Sequence, residues 1–228
     1  MTMASFAWVG STDRATGHAG QLKVTCRPMS GLEVIAEKLH LSQILGLEIV
    51  DAVNLGPQTL AAPGMIPEMV IRQDTLSVTF NPTTKRPVEC VARWRVLSEG
   101  IFDLEVSTLT PGKWDDLAVQ TCSRFPCHAN ATVVEIDQSV TPGIVLYRPP
   151  GDSVTYVEFC HPHDGIGVTI QKQGDYVVVQ QRLFGHDLEK GVILRGRLRG
   201  LLVPRAVDVE AARAAFQRFI VEPPNLAL

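Results

Sequence analysis

The sequence predicts a mainly β protein, a large antiparallel two-sheet sandwich with one short C-terminal helix. Apolar and polar residues alternate with period two along most of the 228 residues, as strands with one buried and one outer face require. Runs dense in turn formers ("NPTTKRP", "TPGKW", "RPPGD", "KQGD") separate the alternating segments. A single stretch, "VDVEAARAAFQRFI", has helical spacing instead. Around a dozen strands in hairpin order favour a sandwich, with a barrel as the second arrangement.

In chain order, "QLKVTCR" and "GLEVIAEKL" read as strands joined by the turn "PMSG". "AEKLHLSQILG" (36–46) admits a helical turn. The strands "DTLSVTF", "PVECVARWRVL", "IFDLEVSTL", "DLAVQTCS", "NATVVEID", "GIVLYR", "SVTYVEF", "GVTIQK", "DYVVVQQRLF" and "KGVILRGRLRGLLV" follow. The helix spans about 208–220, with Asp208 as its cap and Val209, Ala212, Phe216 and Phe219 or Ile220 as its apolar stripe. "EPPN" ends it. No repeat or low-complexity linker divides the chain, so residues 1–228 are expected to form one domain.

Two hairpins can be drawn in register. In "VARWRVL-SEG-IFDLEVS" a loop ending in Gly100 sets Leu97 opposite Ile101, Arg95 opposite Asp103 and Arg93 opposite Glu105. Val96, Trp94 and Ala92 then meet Phe102, Leu104 and Val106 on the other face. A slip of one residue would invert both faces, so this register is strongly specified. In "GVTIQK-QG-DYVVVQ" a Gln173-Gly174 loop pairs Lys172 with Asp175, Ile170 with Val177 and Val168 with Val179. A Gly174-Asp175 loop is the other option, and it sets Lys172 against Val177.

A net charge of −3 and a pI near 6.1 provide no global attraction to nucleic acid or anionic lipid. Neither partner is expected. The N-terminus lacks a basic n-region and a long apolar run, nothing approaches the roughly 18 apolar residues of a membrane span, and five cysteines suit reduced thiols. A cytoplasmic location follows as the expectation.

Chemistry concentrates in "FCHPHDG". Alternation puts Cys160 on the Tyr156 face and His161 on the Phe159 face, and Pro162 ends the strand before His163 and Asp164. His161 and His163 are candidate metal ligands, with Asp164 or Glu158 as a third. The competing reading is a polar strand exit, and it is favoured. "TCSRFPCHAN" offers Cys122, Cys127 and His128, but two buried thiols flanking a turn fit its spacing better than a metal site. Arg195, Arg197 and Arg199 share one strand face, either as an anion-binding platform or as a ladder against an acidic strand. Glu135 and Asp137 are an available complement. Gly185-His186-Asp187 reads as a turn, with His186 at a pocket edge. Phosphate-loop, dinucleotide, nucleophile-elbow and zincin motifs are missing from the sequence.

The run "LFGHDLEKGVILRGRLRGLLVPR", with "RWRVLSEGIFDLEVSTLTPGKWDDLAVQT", resembles uncharacterised bacterial proteins of the galactose-mutarotase-like sandwich family over about half the chain. The resemblance implies an antiparallel supersandwich of the kind found in carbohydrate-active enzymes and carbohydrate-binding domains. In mutarotases, histidine and acidic residues on the concave face carry catalysis. None of those motifs matches a position here, so no catalytic residue is carried over.

The favoured expectation is a sandwich without a cofactor that binds a carbohydrate or anionic small molecule, using Trp114, Tyr147, Tyr156, Arg195 and Arg197. The alternatives are an epimerase or lyase with His161, His163 or His186 as acid or base beside Asp164 or Glu158, and a homo-oligomeric interaction module.

Overall fold

The computed structural model describes residues 6–11, 13–28, 30–36, 39–51, 55–59, 67–82, 88–98, 100–127, 131–136 and 143–223. Its strands are β1 (Trp8–Gly10), β2 (Ala15–Ala19), β3 (Leu22–Arg27), β4 (Gly31–Ala36), β5 (Leu39–Asp51), β6 (Leu55–Thr59), β7 (Glu68–Arg72), β8 (Thr75–Phe80) and β9 (Glu89–Ser98). They continue as β10 (Ile101–Leu109), β11 (Trp114–Pro126), β12 (Thr132–Ile136), β13 (Ile144–Arg148), β14 (Val154–Cys160), β15 (Gly165–Gln173), β16 (Tyr176–Leu188) and β17 (Ile193–Pro204). A helix, α1 (Asp208–Val221), closes the order. One sheet runs β1-β2-β3-β4-β5-β11-β16-β15, with β6 paired to β5. The other runs β12-β13-β14-β17-β10-β9-β8-β7. The expected β-sandwich is present, and no described helix is long and apolar enough to cross a membrane.

The inner faces of the two sheets close over one apolar cluster that includes Leu32, Leu41, Ile44, Phe80, Trp94 and Phe102. A second cluster lies on the outer face of the β12–β7 sheet, where Ala212, Phe216 and Phe219 of α1 cover Val157, Phe159 and Leu201. β13 is therefore buried on both sides, which is why its "IVLY" run is apolar without alternation. The helix covers only the β13-β14-β17 part of that face, and it leaves the β17-β10-β9 part to polar side chains.

The β9–β10 register matches the sequence reading from Val96↔Phe102 to Ala92↔Val106. Only the loop end differs, since Ile101 faces Ser98 and Leu97 is bulged out. Gly100 takes the left-handed conformation that the bulge needs (φ 88°). The second hairpin closes one residue later than expected. Gln173 pairs Tyr176 and Lys172 pairs Val177, so the loop is Gly174-Asp175. With Gly174 at φ 59° in the first loop position, a type II′ turn satisfies the strand twist. That backbone requirement outweighs the Lys172–Asp175 charge match.

The described residues of segment 36–46, Ala36 and 39–46, are strand and not helical turn, because Leu39 and Leu41 alternate into the core from β5; 37 and 38 lie outside the described residues. Gly185-His186-Asp187 is no turn either: β16 runs through it with a bulge at Phe184 (φ 73°) and Gly185 (φ 77°). Asp208 is the first helical residue and not the cap. Its carboxylate instead accepts from Arg148 Nε (2.8 Å), Arg148 Nη2 (3.0 Å) and Thr155 Oγ1 (2.8 Å). Those bonds pin the helix start to β13 and β14 and hold the Asp208 pKa down. Cys122 is buried but Cys127 is exposed, and His128 lies outside the described residues.

Candidate functional site

The strand-face alternation that buries Trp94, Leu104 and Leu198 turns their neighbours outward, and three adjacent strands carry charge there. β10 lies between β9 and β17, and in both pairings an acidic residue of β10 meets arginine. Glu105 sits between Arg93 and Arg197, and Asp103 between Arg95 and Arg199. The arginine ladder of β17 therefore pairs with β10. The alternative complement, Glu135 with Asp137, fails for Glu135 because β12 is at the far edge of the sheet; Asp137 lies outside the described residues.

The bonds within this patch are graded. Arg199 grips Asp103 with Nε (2.7 Å) and Nη2 (3.0 Å). Arg93 Nη1 donates to Glu105 (3.0 Å), and Arg95 approaches Asp103 only to 3.6 Å. The end of α1 closes one side. Glu222 accepts from Arg199 Nη1 (3.0 Å) and Nη2 (2.8 Å), and its carbonyl oxygen accepts from Arg197 Nη1 (2.9 Å). Phe219 backs the Arg199 guanidinium at 4.8 Å from its ring centre. Burial alone would lower the Arg199 pKa, but the Asp103 and Glu222 carboxylates override it and raise it above the ordinary arginine value. Arg199 in turn holds the Glu222 pKa below the usual carboxylate range. Between these groups, with Thr75 and Pro223, lies a cleft of about 90 Å³. That is room for a small polyatomic group or a few waters.

The other sequence candidates have different surroundings. His161 is buried beneath the helix end, where Nε2 donates to the Ile220 carbonyl (3.3 Å) and Nδ1 accepts from the His163 N–H (3.3 Å). Both nitrogens are thus engaged in a neutral tautomer. Burial, aided by the Arg197 charge, lowers the His161 pKa. Asp164 accepts from the Arg197 N–H (3.0 Å), and burial raises its pKa against the nearby positive charge. His163 is exposed. Cys160, on the opposite face, is fully buried. "FCHPHDG" is a strand exit that ties down the end of α1, and no group of three or more metal-ligating side chains occurs among the described residues.

Tyr147 and Tyr156 are not ligand platforms. Tyr147 stacks on Phe125 inside the sandwich (ring centres 4.4 Å apart), and Tyr156 is 1% exposed. The Tyr156 hydroxyl donates to Glu158 (3.0 Å), which also accepts from Ser123 Oγ (2.5 Å) and Gln181 Nε2 (3.0 Å). Glu158 is therefore a core residue joining both sheets. Burial raises its pKa despite three donors. Arg195 faces Ser107, one row outside the cleft, while Arg197 lines it. The side chains of Trp114 and His186 lie outside what the structure describes.

Arg93, Arg95 and Glu222 have no place among the sequence candidates. The first two were legible as one face of the β9–β10 hairpin, but as a finished ladder. Nothing local in "EPPN" indicates that Glu222 returns to β17.

Comparison with protein-family models and with curated proteins finds no match. Solved structures match in fold. A candidate aldose 1-epimerase from Escherichia coli K12 is 6% identical over 88% of this chain and 99% of that one, with a TM-score of 0.56. A heparan sulfate lyase from Pedobacter heparinus is 7% identical over 88% of this chain and 37% of that one (TM-score 0.58). An α-N-acetylgalactosaminidase from Bifidobacterium bifidum is 10% identical over 93% and 38% (TM-score 0.55). The chain thus shares the β-sandwich fold of these proteins, spanning nearly all of the first and little more than a third of the other two. At these identities the likeness is one of fold alone.

Proposed function

We propose that this protein is a binding sandwich for a carbohydrate or related polar small molecule, one polar group of which seats in the arginine cleft between β9, β10, β17 and the end of α1. The cleft itself carries the reading. Guanidinium donors on its walls and the Asp103 and Glu105 acceptors between them are the complementary sets that hydroxyl and acid groups require. Phe219 is buried, so recognition there is polar and not by ring stacking. The fold neighbours named for sugar chemistry support the carbohydrate class. Binding is favoured over turnover because His161, the buried imidazole nearest an acid, has both nitrogens engaged, Nε2 with the Ile220 carbonyl of α1 and Nδ1 with the His163 N–H.

Titration calorimetry with a panel of neutral sugars and sugar acids tests this, comparing wild type with Arg95→Met. Arg95 reaches its acidic partner Asp103 only at 3.6 Å, so its loss should leave the fold intact. The expected result is millimolar or tighter binding of at least one sugar, weakened about fivefold or more in the variant by loss of a charged donor. Absence of binding, or binding indifferent to Arg95, refutes the reading.

A further inference from the structure

We infer that the cleft is made for a carboxylate-bearing ligand and that Glu222 is its built-in stand-in, which the ligand must displace. This rests on the reading of the cleft as the binding site. Arg199 has two donor forks, and both hold carboxylates, but the two partners differ. Asp103 comes from the middle of the sheet and its side chain is 14% exposed; Glu222 follows the last helical residue and is 45% exposed. The inward fork is fixed, while the outward fork is held by a group that side-chain rotation alone can remove.

Charge counting points the same way. Arg93, Arg95, Arg197 and Arg199 face the sheet's Asp103 and Glu105, with Asp164 behind Arg197 at 3.7 Å. Four positive groups meet three negative ones, and Glu222 supplies the fourth. With Glu222 in place these eight charges balance, and an added anion finds the outward fork already occupied. With Glu222 rotated out, one planar guanidinium presents a free pair of N–H donors. A carboxylate fits that geometry bidentately. Arg218 on the exposed side of α1 adds to the positive field at Glu222. A neutral sugar could not replace the lost charge, so a sugar acid is the ligand class that restores what Glu222 provided.

Glu222 competes as an intramolecular ligand. The apparent affinity of wild type is therefore reduced by the fraction of molecules in which the fork is already taken. If about nine in ten are closed, removing the side chain tightens binding about tenfold.

The test is calorimetric titration of wild type, Glu222→Ala and Glu222→Gln with D-glucuronate, D-glucose and acetate, each protein first checked by circular dichroism. Glu222→Gln keeps the side-chain length and serves alone if the alanine variant does not fold. Expected is D-glucuronate binding about tenfold tighter in Glu222→Ala than in wild type, with Glu222→Gln also tighter and D-glucose indifferent to either change. Equal D-glucuronate affinity in all three proteins overturns the stand-in role and leaves the cleft as a binding site. D-glucose binding as well as D-glucuronate overturns the carboxylate requirement alone. Acetate binding as tightly as D-glucuronate, with the same Glu222 dependence, upholds the displacement and removes the carbohydrate. No binding by any of the three proteins overturns both readings.

Discussion

Replacing Glu158 with alanine removes the acceptor shared by three buried donors: the Ser123 and Tyr156 hydroxyls and the Gln181 amide. Each orphaned donor costs about 1–3 kcal/mol, so the three together reach about 3–9 kcal/mol. That is comparable with the whole stability of a typical domain, about 5–15 kcal/mol. Glu158→Gln retains an acceptor for both hydroxyls, and its new N–H can face the Gln181 Oε1 atom, which lacks a partner, once that amide turns over. It should cost under about 1 kcal/mol at pH 5. Because burial raises the Glu158 pKa above its ordinary 4.5, the folded state binds the proton more tightly than the unfolded state does. The contribution is full below the unfolded value and falls as pH rises through the folded value, by about 1.4 kcal/mol per unit between them. Urea unfolding followed by tryptophan fluorescence from pH 5 to 9 reads both effects. The reasoning is wrong if Glu158→Ala costs less than about 1 kcal/mol, or if Glu158→Gln keeps the wild-type decline with pH. Asp208 and Glu222 act oppositely. Arg148 and Arg199 hold their pKa values down, so their contributions are lost as pH falls.

A methyl group added at Gly200 would lie 2.5 Å from the Tyr156 hydroxyl. Gly200→Ala should therefore lower stability by about 1–3 kcal/mol, while Gly112→Ala, with nothing within 4 Å, should leave the melting temperature close to wild type. His161→Ala removes the bond to the Ile220 carbonyl and should cost about 1 kcal/mol. Elemental analysis of wild type and of the His161→Ala/His163→Ala variant should find no stoichiometric zinc or iron in either. One equivalent in wild type alone would overturn the assignment of these histidines to the helix end.

The period-two pattern made the strands, the two faces of β14 and nearly all of the β9–β10 register legible, because alternation and a left-handed glycine are local properties. The helix stripe was legible for the same reason. Two local readings failed where backbone geometry outweighed side-chain matching: the Gly174-Asp175 turn won over a charge pair, and β16 bulged through Gly185 instead of turning. The strands β1, β2, β6 and β7 escaped notice because, at three to five residues each, they are too short to establish an alternating pattern.

The candidate site was legible as a list of side chains and not as a place. Alternating arginines in β17 were visible, yet their acidic partner stood 96 residues away at Asp103. Glu158 and Tyr156 looked available until the second sheet buried them, and Glu222 gained its role only when α1 lay across β17. By itself the sequence determined which residues share a strand face, since the pleat repeats every two residues whatever surrounds it. The tertiary structure alone decided which strands became neighbours and which faces were covered. Those choices depend on the joint burial of apolar surface from segments far apart in the chain, and no short stretch of sequence encodes them.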